Sequence, residues 1–284
     1  MIWIIGGNGM LGKHFEFVLQ TNKIPYIATD KEVDITEIEN LQNFIKDKTI
    51  TWIINCSAYT AVDLAETEKL NAIAINSKGV ENIASISKQL NIPLIHFSTD
   101  YVFDGEKQTE YTEDDTLNPL TVYGETKAYG EIFIQKICEK YFIFRLSWLY
   151  GPAGDNFVFK MIRQFVDKKH IRIVNDQFGS PTYTGEVVSA VLNIILTNSD
   201  KYGLYHFSGR GGKISWYEYC MMIHKFFKPQ KLICFEQVKS DYFKTAAKRP
   251  KNSYMDCSKF EKTFNIQINN WWDTLETFIE DLKK

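Results

Sequence analysis

The order of apolar runs along these 284 residues predicts an α/β protein: a Rossmann-like, doubly wound parallel sheet with a smaller C-terminal substrate-binding lobe. Three observations predict it. Short strand-like runs alternate with helical patterns, the arrangement of a parallel sheet covered on both faces. A glycine-rich turn follows the first run. The polar residues of chemical interest fall just after strand runs, and ligands bind at the carboxyl ends of strands in such sheets.

The first run, residues 2–5, leads into Gly6-Gly7-Asn8-Gly9-Met10-Leu11-Gly12. A helical pattern over 11–21 then puts Leu11, Phe15, Val18 and Leu19 on one face. Strand, glycine turn and helix make a dinucleotide site, because glycines let backbone N–H groups approach a pyrophosphate at a helix N-terminus. The spacing is G-x-x-G-x-x-G, and by itself it also describes a plain tight turn. A second run, 24–28, stops at Asp30, whose carboxylate can accept from ribose hydroxyls or stand as an ordinary loop aspartate. Helix 37–47, strand 52–55, helix 68–90, strand 94–97, helix 122–140 and strand 142–146 continue the alternation. Asn55-Cys56-Ser57-Ala58-Tyr59-Thr60, Ser98-Thr99-Asp100 and Ser147-Trp148 lie at the ends of the last three strands.

After Gly151-Pro152 the pattern loosens. It predicts helix 156–169, strand 171–174, an ordered loop over 176–182, helix 184–197 and strand 202–207. A helix follows Ser215, an N-cap with Glu218 at the capping-box position, and the chain closes with helix 272–283. The expected division is a dinucleotide-binding domain over 1–150 and a mainly substrate-binding lobe over 151–284. Segments around 171–207 are expected to return to the first sheet.

Composition narrows the function. Hydrophobic residues make up 44% and charged residues 24%, as in globular proteins, and the net charge of −2 offers no basic field for nucleic acid or anionic membrane. No apolar run approaches the ~20 residues that span a bilayer, and no basic leader precedes the first strand, so the expectation is a cytoplasmic protein. Cys56, Cys138, Cys220, Cys234 and Cys257 are scattered, without C-x-x-C pairs or histidine clusters. They read as thiols of a reducing compartment, and no metal site is expected.

Thr99, Tyr123 and Lys127 carry the chemistry. A lysine four residues after a tyrosine shares its helix face and can shift the phenol from its ordinary pKa of about 10. Thr99 can give a second hydrogen bond to the same oxygen. Beside a nicotinamide, this is equipment for moving a proton to a carbonyl oxygen. A Y-x-x-x-K pair can equally be a helix-surface pair, and Trp148, Asp100 and Asp104 can be core and turn residues. It is the joint placement at strand ends that favours a site.

These residues resemble the extended short-chain dehydrogenase/reductases and, more narrowly, the dTDP-4-dehydrorhamnose reductase family. Ser98-Thr99-Asp100-Tyr101-Val102-Phe103-Asp104-Gly105, Tyr123-Gly124-Glu125-Thr126-Lys127, Arg145-Leu146-Ser147-Trp148 and Ser215-Trp216-Tyr217-Glu218 carry the likeness. So do Ala58-Tyr59-Thr60-Ala61-Val62-Asp63, Lys248-Arg249-Pro250 and Asn252-Ser253, and the similarity covers nearly the whole chain. The resemblance implies NADH- or NADPH-dependent reduction of the 4-keto group of a nucleotide-linked 6-deoxysugar in rhamnose and cell-surface polysaccharide synthesis, with a slight lean to NADH. It implies Thr99, Tyr123 and Lys127 as catalytic residues. It implies Gly6, Gly9, Met10, Leu11, Gly12, Asp30, Asp34, Ile35, Ala58, Tyr59 and Thr60, with Tyr123 and Lys127, at the cofactor, and Thr99, Asp100 and Trp148 at the sugar nucleotide. Some members dimerise through a magnesium ion held partly by a glutamate two residues after the third glycine. Here that residue is His14, so no metal is carried over, while a homodimer remains open. The alternatives are an NAD(P)-binding regulatory subunit resembling that of methionine adenosyltransferase, and a sugar-nucleotide epimerase.

Overall fold

A computed structural model describes residues 1–283. Six strands form the main sheet: β1 (Ile2–Ile5), β2 (Tyr26–Thr29), β3 (Trp52–Asn55), β4 (Leu94–Thr99), β5 (Tyr141–Leu146) and β10 (Gly203–Phe207). Their spatial order is β10-β5-β4-β3-β1-β2, and every pairing is parallel. β1 and β3 are buried at every position, which is why they read as continuous apolar runs without alternation. Chain order reverses beside β1, so the crevice at the carboxyl ends of β1 and β3 is the topological switch point of the sheet.

Helices cover both faces. α1 (Met10–Thr21), α8 (Thr184–Leu196) and α10 (Ser258–Phe264) seal one core, in which Phe15, Ile54, Phe144, Val191 and Phe260 meet. α2 (Ile38–Ile45), α5 (Val80–Leu90) and α6 (Val122–Ile137) seal the other, around Trp3, Ile53, Ile83 and Ile143. Two short helices, α3 (Val62–Ala65) and α4 (Lys69–Ile73), follow β3 and pack against α6. The helix expected over 68–90 is interrupted at Ala74–Gly79, which winds as a π-helix. Such wide turns occur where packing inserts into a helix and often mark functional sites. Here Gly130 of α6 comes so close that a Cβ there would lie 2.5 Å from the Asn76 carbonyl oxygen.

The second lobe has its own core, where Tyr150, Met161, Phe165, Tyr219, Leu275 and Phe278 pack between α7 (Phe157–Asp167), α9 (Trp216–Phe227) and α11 (Trp271–Asp281). Ser215 and Glu218 form the expected capping box at the start of α9. The segment expected to return to the first sheet divides. Residues 184–207 do so, as α8 and β10, whereas β7 (His170–Val174) pairs in parallel with β12 (Cys234–Val238) in a separate ribbon. The loop over 176–182 contains two short strands: β8 (Phe178–Gly179) pairs with β11 (Ile214–Ser215), and β9 (Thr182–Tyr183) with β6 (Leu149–Tyr150).

Candidate active site

The glycine turn is built for close approach. Gly6 has φ +83°, and a Cβ on it would lie 2.6 Å from the Ser57 amide nitrogen. A Cβ on Gly12 would lie 2.3 Å from the Gly6 carbonyl oxygen, so helix α1 can start directly against the turn. The N-cap residue Gly9 supplies no side-chain cap and the first turn has no acidic residue. The amide groups around Met10 and Leu11 are thus left facing outward with the positive end of the helix dipole, which suits a diphosphate. A cavity of about 530 Å³ opens beside them, lined by Gly6, Gly9, Asp30, Asp34, Ile35 and Ala58 among others. These residues fit a dinucleotide.

Asp30 does more than line that cavity. Its Oδ2 accepts from the Asn8 amide at 2.8 Å and its Oδ1 from the Lys31 amide at 2.9 Å, tying the glycine turn to the end of β2. Asp34 accepts from the Thr36 amide and hydroxyl, and the Ile35 carbonyl accepts from the buried Asn82 amide group. The Ala58-Tyr59-Thr60 segment is clamped by Asn76, whose Oδ1 accepts from the Tyr59 amide at 2.8 Å and whose Nδ2 donates to the Tyr59 carbonyl at 3.0 Å. Asn76 also donates to the Thr126 hydroxyl on α6. It is fully buried in the π turn, and sequence reasoning missed it.

Thr99 ends β4, and Tyr123 and Lys127 lie in the first turns of α6. Thr121 starts that helix by accepting from the Gly124 amide at 3.0 Å. A Cβ on Gly124 would come within 2.1 Å of the Tyr101 carbonyl oxygen, so glycine at this position brings the catalytic helix against the end of β4. Burial pushes the Tyr123 phenol up to about 12; hydrogen bonding with Thr99 works against that shift, and the Asp100 carboxylate adds to it. The phenol is therefore protonated throughout the neutral range. Lys127 was expected to act on Tyr123, but in the free chain its Nζ donates to the Phe97 carbonyl at 2.6 Å and meets His96 Nε2 at 3.4 Å. Burial lowers Lys127 to about 8, opposed by Glu131 and Cys56.

Asp100 lies beneath the reactive hydroxyls rather than among them. It is 3% exposed, and its Oδ1 accepts from the Thr99 hydroxyl at 3.0 Å. Burial pushes it up to about 6 against hydrogen bonds from Ser253 and Thr99. Trp148 is half-buried with φ +46°, a conformation costly for an aromatic residue and commonest at functional sites. Its ring stacks on Trp216 with centroids 3.5 Å apart and lies against Gly179, where a Cβ would fall 2.6 Å from the indole.

Sequence reasoning also missed a second groove. It has a volume of about 650 Å³ and is lined by Lys160, Lys168, Arg172, Trp216, Tyr242 and Arg249, among others. Arg249 reaches across the molecule to Asp63 on α3, with Nη2 to Oδ2 at 2.6 Å. The cations come from two distant stretches, 160–172 and Arg249, so their spacing in the sequence does not mark them as one groove.

The residues do not fit the magnesium ion that the resemblance raised. His14 is buried, and its Nδ1 bonds the Thr184 hydroxyl at 2.7 Å. An imidazole turned inward is no substitute for an oxygen ligand to a hard cation. Among the described residues no group of three or more His, Cys, Asp or Glu could hold a metal. Nor, among them, is any helix long and apolar enough to cross a membrane.

Comparison with known proteins gives a consistent result. The family model for the RmlD substrate binding domain matches residues 1–284. A dTDP-4-dehydrorhamnose reductase from Aggregatibacter actinomycetemcomitans is 36% identical over 283 residues, 96% of each chain. The crystal structure of a dTDP-4-dehydrorhamnose reductase from Bacillus anthracis in complex with NADP superposes with a TM-score of 0.93 at 36% identity, covering 99% of this chain and 98% of that one. A dTDP-4-dehydrorhamnose reductase structure from Clostridium acetobutylicum gives a TM-score of 0.94 at 34% identity, covering 100% and 99%.

Proposed function

The chain belongs to the dTDP-4-dehydrorhamnose reductase family, that of the RmlD substrate binding domain, and from this premise we propose that it reduces the 4-keto group of dTDP-4-dehydrorhamnose to give dTDP-L-rhamnose. It is a nicotinamide-dependent oxidoreductase. The observation that carries the reading is the pairing of Thr99 with a protonated, half-buried Tyr123 in a chain whose glycine turn opens a cavity suited to a dinucleotide. The bound reduced nicotinamide supplies the hydride. Tyr123 gives its proton to the developing alkoxide, and Thr99, oriented by Asp100, donates a hydrogen bond to the same oxygen. Lys127 stabilises the resulting tyrosinate and holds the nicotinamide ribose. All three groups are present, which speaks against a regulatory subunit.

Residues 1–150 bind the cofactor, through the turn at Gly6, Gly9, Met10, Leu11 and Gly12, through Asp30, Asp34 and Ile35, and through Ala58, Tyr59 and Thr60. The nucleotide sugar is held mainly by the lobe within 151–284, together with Thr99, Asp100 and Trp148 from the first part of the chain. Its diphosphate lies along the lysine- and arginine-lined groove, and Trp148 stands at its sugar end. NADH and NADPH both serve, with a lean to NADH, because Asp30 repels a 2′-phosphate that the neighbouring Lys31 attracts. Free thiols at all five cysteines fit a reducing cytoplasm. A homodimer fits the exposure of Phe17 on α1 and Leu196 on α8, two helices in contact, at 66% and 67%. Oxidation of NADH or NADPH, followed by absorbance with a panel of nucleotide 4-keto-6-deoxysugars, tests the activity. Turnover of the dTDP-linked substrate is the expected result, and binding of cofactor without turnover of any panel member would replace this reading with a regulatory one.

A further inference from the structure

We propose that His96 is a positioning residue for Lys127: Asn55 holds it in the tautomer that carries its proton on Nε2, it presents that donor to the lysine amine, and Lys127 therefore takes up a proton when the cofactor binds. The cofactor clause rests on the function proposed above; the tautomer does not.

One chain of hydrogen bonds fixes the tautomer. The Ser57 backbone N–H can only donate, and it donates to Asn55 Oδ1 at 3.0 Å, with the Ser57 hydroxyl donating to the same oxygen at 2.6 Å. That fixes the orientation of the Asn55 amide. Its Nδ2 therefore donates to His96 Nδ1 at 3.0 Å, so Nδ1 must offer a lone pair. His96 is fully buried on β4, and burial, followed by the nearby Lys127, lowers its pKa well below the ordinary value. A neutral imidazole that accepts at Nδ1 carries its proton on Nε2. That N–H lies 3.4 Å from Lys127 Nζ.

An ammonium there would set donor against donor. A neutral amine would accept from Nε2–H and still donate to the Phe97 carbonyl at 2.6 Å. The network thus closes fully around the neutral amine, the form that prevails above about pH 8. The other groups facing Lys127 are Tyr123 on its own helix, Cys56 at the end of β3 and Glu131 one turn further along α6. Glu131 is itself engaged by Arg145, whose Nε and Nη2 bond its two oxygens at 2.9 and 2.7 Å, and Glu16 faces Cys56 from α1. Ribose hydroxyls brought to Lys127 would offer acceptors that favour the ammonium. The proton comes from solvent, and the lysine then carries the charge that stabilises tyrosinate.

The test uses the full chain. In ¹⁵N NMR of the free protein, His96 should show a protonated Nε2 and an unprotonated Nδ1. Adding NADP⁺, which permits no turnover, to weakly buffered protein above pH 8 should remove protons from solution, read by an indicator dye. Cofactor affinity should fall by up to about ten-fold per pH unit there. Asn55→Asp accepts from both Ser57 and His96 Nδ1–H and so reverses the tautomer. Proton uptake should vanish and the pH dependence move upward. His96→Phe removes the donor without supplying an acceptor, and its transition should fall between those of the wild type and Asn55→Asp. An Nδ1–H tautomer in the wild type, or identical uptake in all three proteins, would overturn the proposal. If the chain binds no nicotinamide nucleotide, the proposed function fails, while the His96 tautomer and Lys127 titration in the free protein still decide this one.

Discussion

The two halves of the site are built in opposite ways. On the cofactor side, residues adjacent in sequence do the work: seven consecutive residues make the turn, and Tyr123 and Lys127 are one helical turn apart. On the sugar side, Arg249 pairs with Asp63, Asp176 accepts from Ser240, and β7 pairs with β12, every partner lying more than sixty residues away. The cofactor half is a local device placed at a switch point by the sheet. The sugar half exists only after the lobe has folded. Substitutions in the first should therefore act on cofactor and chemistry with the fold intact, and those in the second on sugar binding together with stability.

The largest expected effect tests the chemistry. Tyr123→Phe removes the proton donor from a site whose other groups stay in place, and turnover should fall by roughly 10²–10⁴-fold. Dissociation constants for NADH and NADPH, measured by fluorescence, should stay within about two-fold. Turnover within a few-fold of wild type would strip Tyr123 of its role as the acid.

Next come two substitutions of similar size that should separate the halves. Gly12→Ala forces a Cβ against the Gly6 carbonyl oxygen. Overpacking of about 1–3 kcal/mol should weaken cofactor binding by about 5–150-fold and leave sugar-nucleotide binding to the free protein nearly unchanged. Trp148→Ala should do the converse, raising the Michaelis constant for the sugar nucleotide by about ten-fold or more at constant cofactor affinity. Because Trp148 stacks on Trp216, it should also lower the melting temperature. Trp216→Ala supplies the sharper comparison. If the stacked pair is one sugar-facing wall, both variants lose sugar affinity. If both lose only stability, the pair is core and the division between halves falls elsewhere.

What the sequence revealed follows the same divide. The glycine turn was legible because close backbone approach requires glycine, and the parallel strands because burial on both faces leaves unbroken apolar runs. Asn76 was not, because the π turn that holds it lies against Gly130, fifty-odd residues away. His96 reads as one more residue of a strand; its meaning depends on Asn55 directly opposite on β3 and Lys127 on a helix. In the lobe, two-residue strands have no periodicity to detect, and β12, with its exposed and half-buried positions, reads as surface loop until β7 is placed beside it. Tyr123 and Lys127 share α6 as their spacing predicts, whereas the partners of Lys127 in the free chain, the Phe97 carbonyl and His96, come from β4 and leave no mark in that spacing.

The smallest effect probes whether the cofactor half is as local as it looks. Asp30 sits at the edge of the cavity, yet both its oxygens already serve the backbone, Oδ2 receiving the Asn8 amide and Oδ1 the Lys31 amide. Asp30→Ala therefore does two things. It releases the glycine turn from the end of β2, a loss of about 1 kcal/mol for one hydrogen bond, which should weaken NADH and NADPH alike by a few-fold. It also removes a negative charge beside the place a 2′-phosphate would occupy, while Lys31 remains, and that should favour NADPH alone. The two contributions add for NADH and oppose each other for NADPH. The expected outcome is a drop in NADH affinity with NADPH affinity nearly unchanged, so that the preference moves toward NADPH by a few-fold. Parallel titrations with the two reduced cofactors separate the contributions. Equal losses for both would mean that Asp30 shapes the turn and does not read the ribose, and the lean toward NADH would then need another origin.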